Sequence, residues 1–175
     1  MNDPVDPVDP ESNPFDRVVG HWEQVIDDMA ATASQYRDDG REAIELHPGD
    51  VTVLTGEPRT MAEQNGEYEP ETRRLGFDVV VPGDEFQQVA DALGNRTVDR
   101  SEVFRATGDG MVFLLVALEC GDDLAVLVPL YYDQTDRADL SQVAADHGLY
   151  SHIRPLTDDE VVTVSHEDPE PFFPD

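Results

Sequence analysis

The sequence predicts an α+β domain: a single antiparallel or mixed sheet of five to seven strands, with a long N-terminal helix and two shorter helices packed mainly on one face. Three observations carry this prediction. Between Met111 and Tyr132, two apolar runs flank Gly121-Asp122-Asp123, the pattern of a hairpin of buried strands. Residues 15–36 repeat apolar side chains at helical spacing. Helices and strands are also mixed without the regular alternation of a doubly wound fold.

The elements follow in order. Residues 1–12 repeat Asp-Pro-Val and read as an extended acidic tail. Asn13 suits an N-cap, Pro14 the first helical turn and Asp16 the positive end of the dipole. Phe15, Val18, Val19, Trp22, Val25, Ile26, Met29, Ala33 and Tyr36 then share one face, and Gly40 closes the helix. That face either covers the sheet or joins a second subunit. Arg41–Leu46 is ambiguous. His47-Pro48-Gly49-Asp50 is a turn, and Val51–Leu54 is a strand. Residues 57–75 form a long loop, either a lid or partner-binding segment or, more plainly, a disordered insertion.

Gly76–Val81 is the next strand. Asp84 is expected to cap a short helix with Phe86, Val89, Ala90 and Leu93 on its apolar face, ended by Gly94. Ser101–Thr107, joined through Gly108-Asp109-Gly110, adds a third strand to the hairpin and makes a meander. Pro129 implies a bulge or an exposed edge. Asp136 and Asp139, spaced like a capping box, open a helix that ends at Gly148. Leu149–Arg154 and Val161–His166 form the last two strands. The domain thus spans residues 13–166. Residues 167–175 are an acidic tail whose Phe172 and Phe173 should dock on their own domain or on a partner.

Composition bounds the setting. The chain has 175 residues, with 39 acidic against 11 basic, every basic residue an arginine, and a net charge of -28. Self-repulsion of this size is relieved by screening, since the Debye length falls to about 3 Å in molar salt. The expected setting is a salt-rich cytoplasm, with potassium or sodium as surface counterions and no cofactor. Nucleic acid is disfavoured as a partner, because phosphate binding needs a basic patch and Arg73-Arg74 is the densest cluster. Cys120 is the only cysteine, so no internal disulfide forms, and it reads as a small hydrophobe before a reactive thiol. The acidic, proline-rich N-terminus does not read as a signal peptide, and no run approaches the roughly 20 apolar residues that span a bilayer.

Three constellations merit weighing as sites. Glu45, His47 and Asp50 lie together at a turn, and His152 and His166 occupy the last two strands. If the two strands are in register, these histidines and Glu167 would suit a transition metal or zinc. No specific metal-ligand spacing supports it. Tyr131, Tyr132 and Arg154, with Trp22, Phe172 and Phe173, are candidate interface anchors. Asp50, Asp78 and Glu102 could cluster as in a metal-dependent nuclease, but chance proximity is cheap among 39 acids.

Asn-Pro-Phe-Asp-Arg-Val-Val, Glu-Leu-His-Pro-Gly-Asp, Pro-Leu-Tyr-Tyr-Asp and Ser-His-Ile-Arg-Pro-Leu, leading into Val-Val-Thr-Val-Ser-His-Glu, together resemble a family of uncharacterised proteins from halophilic archaea. The resemblance covers residues 13–173 and implies no activity. The functional expectation is a non-enzymatic cytoplasmic domain that binds a protein partner or itself as a homo-oligomer. The alternative is a small metal-dependent hydrolase or other enzyme with a His/carboxylate site.

Overall fold

The computed structural model describes residues 14–55, 75–94, 96–157 and 160–173, with side chains from Val18 onward. The expected tail at 1–12, the Asn13 cap, Arg73-Arg74 and the 57–75 loop except Leu75 lie outside the described residues. The first helix, α1 (Pro14–Asp38), runs as read, and Gly40 follows it with a left-handed φ of 86°.

Two four-stranded sheets form, where a single sheet was expected. Sheet A contains β1 (Glu42–Glu45), β4 (Arg100–Gly108), β5 (Met111–Cys120) and β6 (Leu124–Asp133), in the order β1-β6-β5-β4. Sheet B contains β2 (Asp50–Leu54), β3 (Gly76–Val80), β7 (Leu149–Arg154) and β8 (Val162–His166), in the order β2-β3-β7-β8. Parallel pairings of β1 with β6 and of β3 with β7 make both sheets mixed. The ambiguous stretch at Arg41–Leu46 therefore supplies β1.

The meander β4-β5-β6 is present, and its central strands explain the layering. On β5, Val112, Leu114, Val116, Leu118 and Cys120 join a core shared with Phe77 and Val79 of sheet B. The alternate residues Phe113, Leu115 and Ala117 join a second core with Val25, Met29 and Ala33 of α1. Full burial contributes about 1.5–3 kcal/mol for each large apolar side chain, so a strand apolar on both faces needs a layer on each. The α1 helix supplies one layer and sheet B the other. The other two α-helices among the described residues, α2 (Gly83–Leu93) and α3 (Arg137–His147), send Phe86, Val89, Leu140 and Ala144 into the core shared by both sheets. The helices are thus not gathered on one face of one sheet.

Several local expectations are corrected. No side chain caps α2, and Asp84 lies inside its first turn. Asp136 makes no capping bond either. Asp133 instead accepts from Thr135 N–H at 2.9 Å and opens a short 3-10 turn that leads into α3. Pro129 causes no bulge: β5 and β6 stay in register from Met111↔Asp133 to Cys120↔Leu124. The Leu127 carbonyl accepts from Leu46 N–H, so residue 127 turns its backbone towards the β1 side. Pro129, two residues on, presents its missing donor to the same side, past the last β1 pair at Glu45↔Leu127.

Residues 167–173 are not a separate tail. Phe172 is fully buried, 6.0 Å from the Phe77 ring, and Tyr132 Oη donates to its carbonyl at 2.6 Å. Docking of the aromatic pair resolves to its own domain.

Gly76 permits sheet B to close. Its φ is 108°, and a Cβ there would lie 2.1 Å from the Tyr150 carbonyl oxygen on β7. We expect Gly76→Ala to cost about 2 kcal/mol or more, measured as a lower urea midpoint at unchanged slope.

Candidate functional site

The candidate histidines do not converge. His152 pairs in register with Thr163, and Leu149 with His166, so His152 and His166 lie on opposite faces of the β7–β8 hairpin. On the outer face, His152 Nε2 donates to the Leu75 carbonyl at 2.9 Å, and Nδ1 lies 3.0 Å from Thr163 Oγ1. On the core face, His166 is 3% exposed, lies tilted against Phe172 with ring centroids 4.7 Å apart, and places Nε2 2.7 Å from Ser151 Oγ. His47 is separate: its Nδ1 and backbone N–H both donate to Glu85, at 2.8 and 2.6 Å. Glu167 is exposed, and Glu45 pairs with Arg37 at 3.1 Å. Among the described residues, no three His, Cys, Asp or Glu are grouped to hold a metal ion. Asp50 and Asp78 sit on β2 and β3 of sheet B while Glu102 is in sheet A, so the nuclease-like set does not assemble.

The Ser151–His166 pair has the elements of a nucleophile and a base, but both side chains point into the core. His166 Nδ1 is buried without a protein partner, so no carboxylate orients the ring. Burial, with His152 nearby, pushes the His166 pKa down to about 4.

Two polar constellations escaped the sequence reading. Across sheet B, Thr52, Asp78, His152 and Thr163 pair in one row on the outer face. Beside this row, Arg154 holds Asp78 through two parallel bonds, Nε to Oδ1 at 2.8 Å and Nη2 to Oδ2 at 3.0 Å. Arg154 is thus a half-buried strut between β7 and β3. The second constellation is Glu119, 3% exposed at the end of β5. It accepts from Tyr36 at 2.8 Å, from Arg100 at 2.7 Å and from Arg41 at 3.2 Å. Burial alone would raise its carboxyl pKa, but the bonds from Tyr36, Arg100 and Arg41 outweigh it and hold the group below the usual range. Tyr36 is pushed up in return, by burial first and then by Glu119. This cluster locks the C-terminal end of α1 to sheet A.

The remaining interface candidates divide. Tyr132 and Phe172 are interior. Trp22 and Tyr131 are half-buried against each other, edge to face with centroids 5.2 Å apart, and Phe173 lies against Tyr132. Trp22, Tyr131 and Phe173 keep part of their surface exposed.

The sequence profile of a family of unknown function, DUF7529, matches residues 9–174. This chain belongs to that family. No curated protein and no solved structure matches it.

The DUF7529 chain has one further surface feature, strand β4. It lies at the edge of sheet A and is exposed at Arg100, Glu102 and every position from Phe104 to Thr107. Phe104 stands 49% exposed on the sheet's outer face, one of few large apolar side chains left in water among the described residues. Backbone direction follows from the ladder. Residue 127 faces β1, so odd residues of β5 face β4, and their partners Arg100, Glu102, Phe104 and Ala106 bond inward to β5. Ser101, Val103, Arg105 and Thr107 therefore turn their N–H and C=O groups to the free edge.

The His166 shift makes a pH prediction. Its folded pKa lies below the unfolded value of about 6.5, so the unfolded chain takes up the proton first. The stabilisation is complete above about pH 6.5 and lost as pH falls towards 4, roughly 2 kcal/mol of it by pH 5. Urea melts of the parent and of His166→Asn should converge by that amount between pH 7 and 5. Parallel curves would refute the assignment.

Proposed function

We propose that the chain is a non-enzymatic interaction module working in concentrated salt, with β4 as its contact element. The observation that carries this reading is a nine-residue edge strand whose outer side pairs with no strand among the described residues and which exposes Phe104 at its centre. A free edge is a template for adding a strand, since main-chain bonds supply affinity and exposed side chains supply selectivity. Natural edges of this length usually carry proline, a bulge or a cover, and β4 has no proline within it. The alternative of a metal-dependent hydrolase lacks a converging ligand set among the described residues.

Salt dependence follows from the net charge of -28. Two such surfaces repel in dilute buffer, and the repulsion is screened as the Debye length shrinks to about 3 Å near 1 M salt. Sedimentation velocity should show association in molar potassium chloride that falls away below about 0.2 M.

Thr107→Pro tests the contact element. It deletes an N–H that points to the free edge and leaves the β5 ladder intact, so the fold should persist. We expect association to weaken at least about tenfold, the cost of roughly one net edge interaction. Unchanged association with a preserved fold would remove β4 from the interface.

A further inference from the structure

We infer that the occupant of the β4 edge is β4 of a second copy of this chain, paired antiparallel about a twofold axis at Phe104. This rests on the reading of β4 as the contact element and adds the partner and the register.

A twofold axis perpendicular to the sheet keeps side chains on their own faces, so each residue meets one of the same parity. Centring the axis at Phe104 pairs the whole strand from Arg100 to Gly108 with itself. Phe104 then meets Phe104 of the second copy, Glu102 meets Ala106, and Arg100 meets Gly108. On the other face Val103 meets Arg105, and Ser101 meets Thr107. No two like charges oppose each other. An axis at Glu102 would set carboxylate against carboxylate, and an axis at Arg105 would set guanidinium against guanidinium; like charges directly opposed are destabilising. An axis at Val103 leaves Thr107 and Gly108 beyond the regular pairing and seats Phe104 against Glu102.

The backbone agrees with this register. Ser101, Val103, Arg105 and Thr107 carry the outward donors and acceptors, so Val103–Arg105 and Ser101–Thr107 become the hydrogen-bonded pairs. Phe104 turns its own backbone groups to β5, so its pair across the axis is a non-hydrogen-bonded one, the kind that brings side chains closest, with Cα atoms about 4.5 Å apart. The half-exposed ring is thereby covered by its own copy. Arg100 stays bonded to Glu119 at 2.7 Å and Arg105 to the Pro171 carbonyl at 3.0 Å, and both bonds use side chains, so neither occupies an outward backbone group of the strand. Sheet A of each copy then continues into the other as one eight-stranded sheet.

Oxidative crosslinking of Phe104→Cys in molar potassium chloride tests the register, with mass spectrometry placing the bridge. The opposed Cα atoms fall at the short end of the roughly 4.4–6.8 Å that a disulfide spans. A 104–104 bridge in most chains is expected, with Glu102→Cys alone giving roughly tenfold less, because its opposite is Ala106. A mixture of Glu102→Cys and Ala106→Cys chains, which keeps Phe104, should bridge 102 to 106. Cys120 is buried and should stay out of the bridges.

A complex sensitive to Thr107→Pro but lacking both bridges would overturn the register. A chain that binds a different polypeptide through β4, and not itself, would overturn the second copy while leaving β4 as the contact element. A chain that stays monomeric and makes no β4-dependent complex would overturn both.

Discussion

The demand that both faces of β5 and β6 be dry organises this molecule. Successive strand residues point to opposite faces, and from Val112 to Cys120 every residue is buried. One layer cannot satisfy such a strand. The α1 helix covers one face and sheet B the other, and the short strands of sheet B follow from that role. They need only one apolar face, and their outer row of Thr52, Asp78, His152 and Thr163 is polar. Among the described residues, Glu119 is buried where α1 meets sheet A, Ser151 and His166 on the core face of β7 and β8, and His152 on the outer face of the same hairpin.

Binding α1 to sheet A takes more than apolar contact. At one end His21 lies against Phe113, its Nε2 donating to Asp109 at 2.8 Å. A Cβ on Gly108 would stand 2.6 Å from that same nitrogen, so packing against His21 favours glycine at the end of β4. At the other end Tyr36 and Arg41 reach Glu119. A carboxylate so deeply placed is tolerable because three donors surround it; taken singly, none would offset its loss of water. The helix is thereby fixed in position along the sheet as well as in contact with it.

Local pattern made much of this legible. The seam of α1, the meander and the two-residue turn at Asp109-Gly110, both with positive φ, follow from periodicity and turn chemistry. Which strands share a sheet was not legible. The partner of β1 is β6, a parallel pairing with a segment about 80 residues further along the chain, and nothing in Glu42–Glu45 announces it. The same limit hid the site geometry. His152 and His166 are an even number of residues apart, but whether two residues on a hairpin share a face depends on register. Pairing of His166 with Leu149, and not with an even-numbered residue such as His152, sends the rings apart. The buried role of Phe172 was signalled by two aromatics in a polar stretch, and only its destination was missing.

The pairing of β1 with β6 also has a meaning in time. A chain made from its N-terminus at roughly 5–20 residues per second exposes α1 and β1 about 80 residues before Leu124–Leu127 exist to receive them. For roughly 4–16 s the apolar seam of α1 has no sheet to lie on. Long-range parallel pairing is slow to form and leaves intermediates prone to stick. The carboxylates along that helix, Glu23, Asp27, Asp28 and Asp38, are therefore charges on a waiting segment as well as on a finished surface. They keep unfinished chains apart until the fold can close.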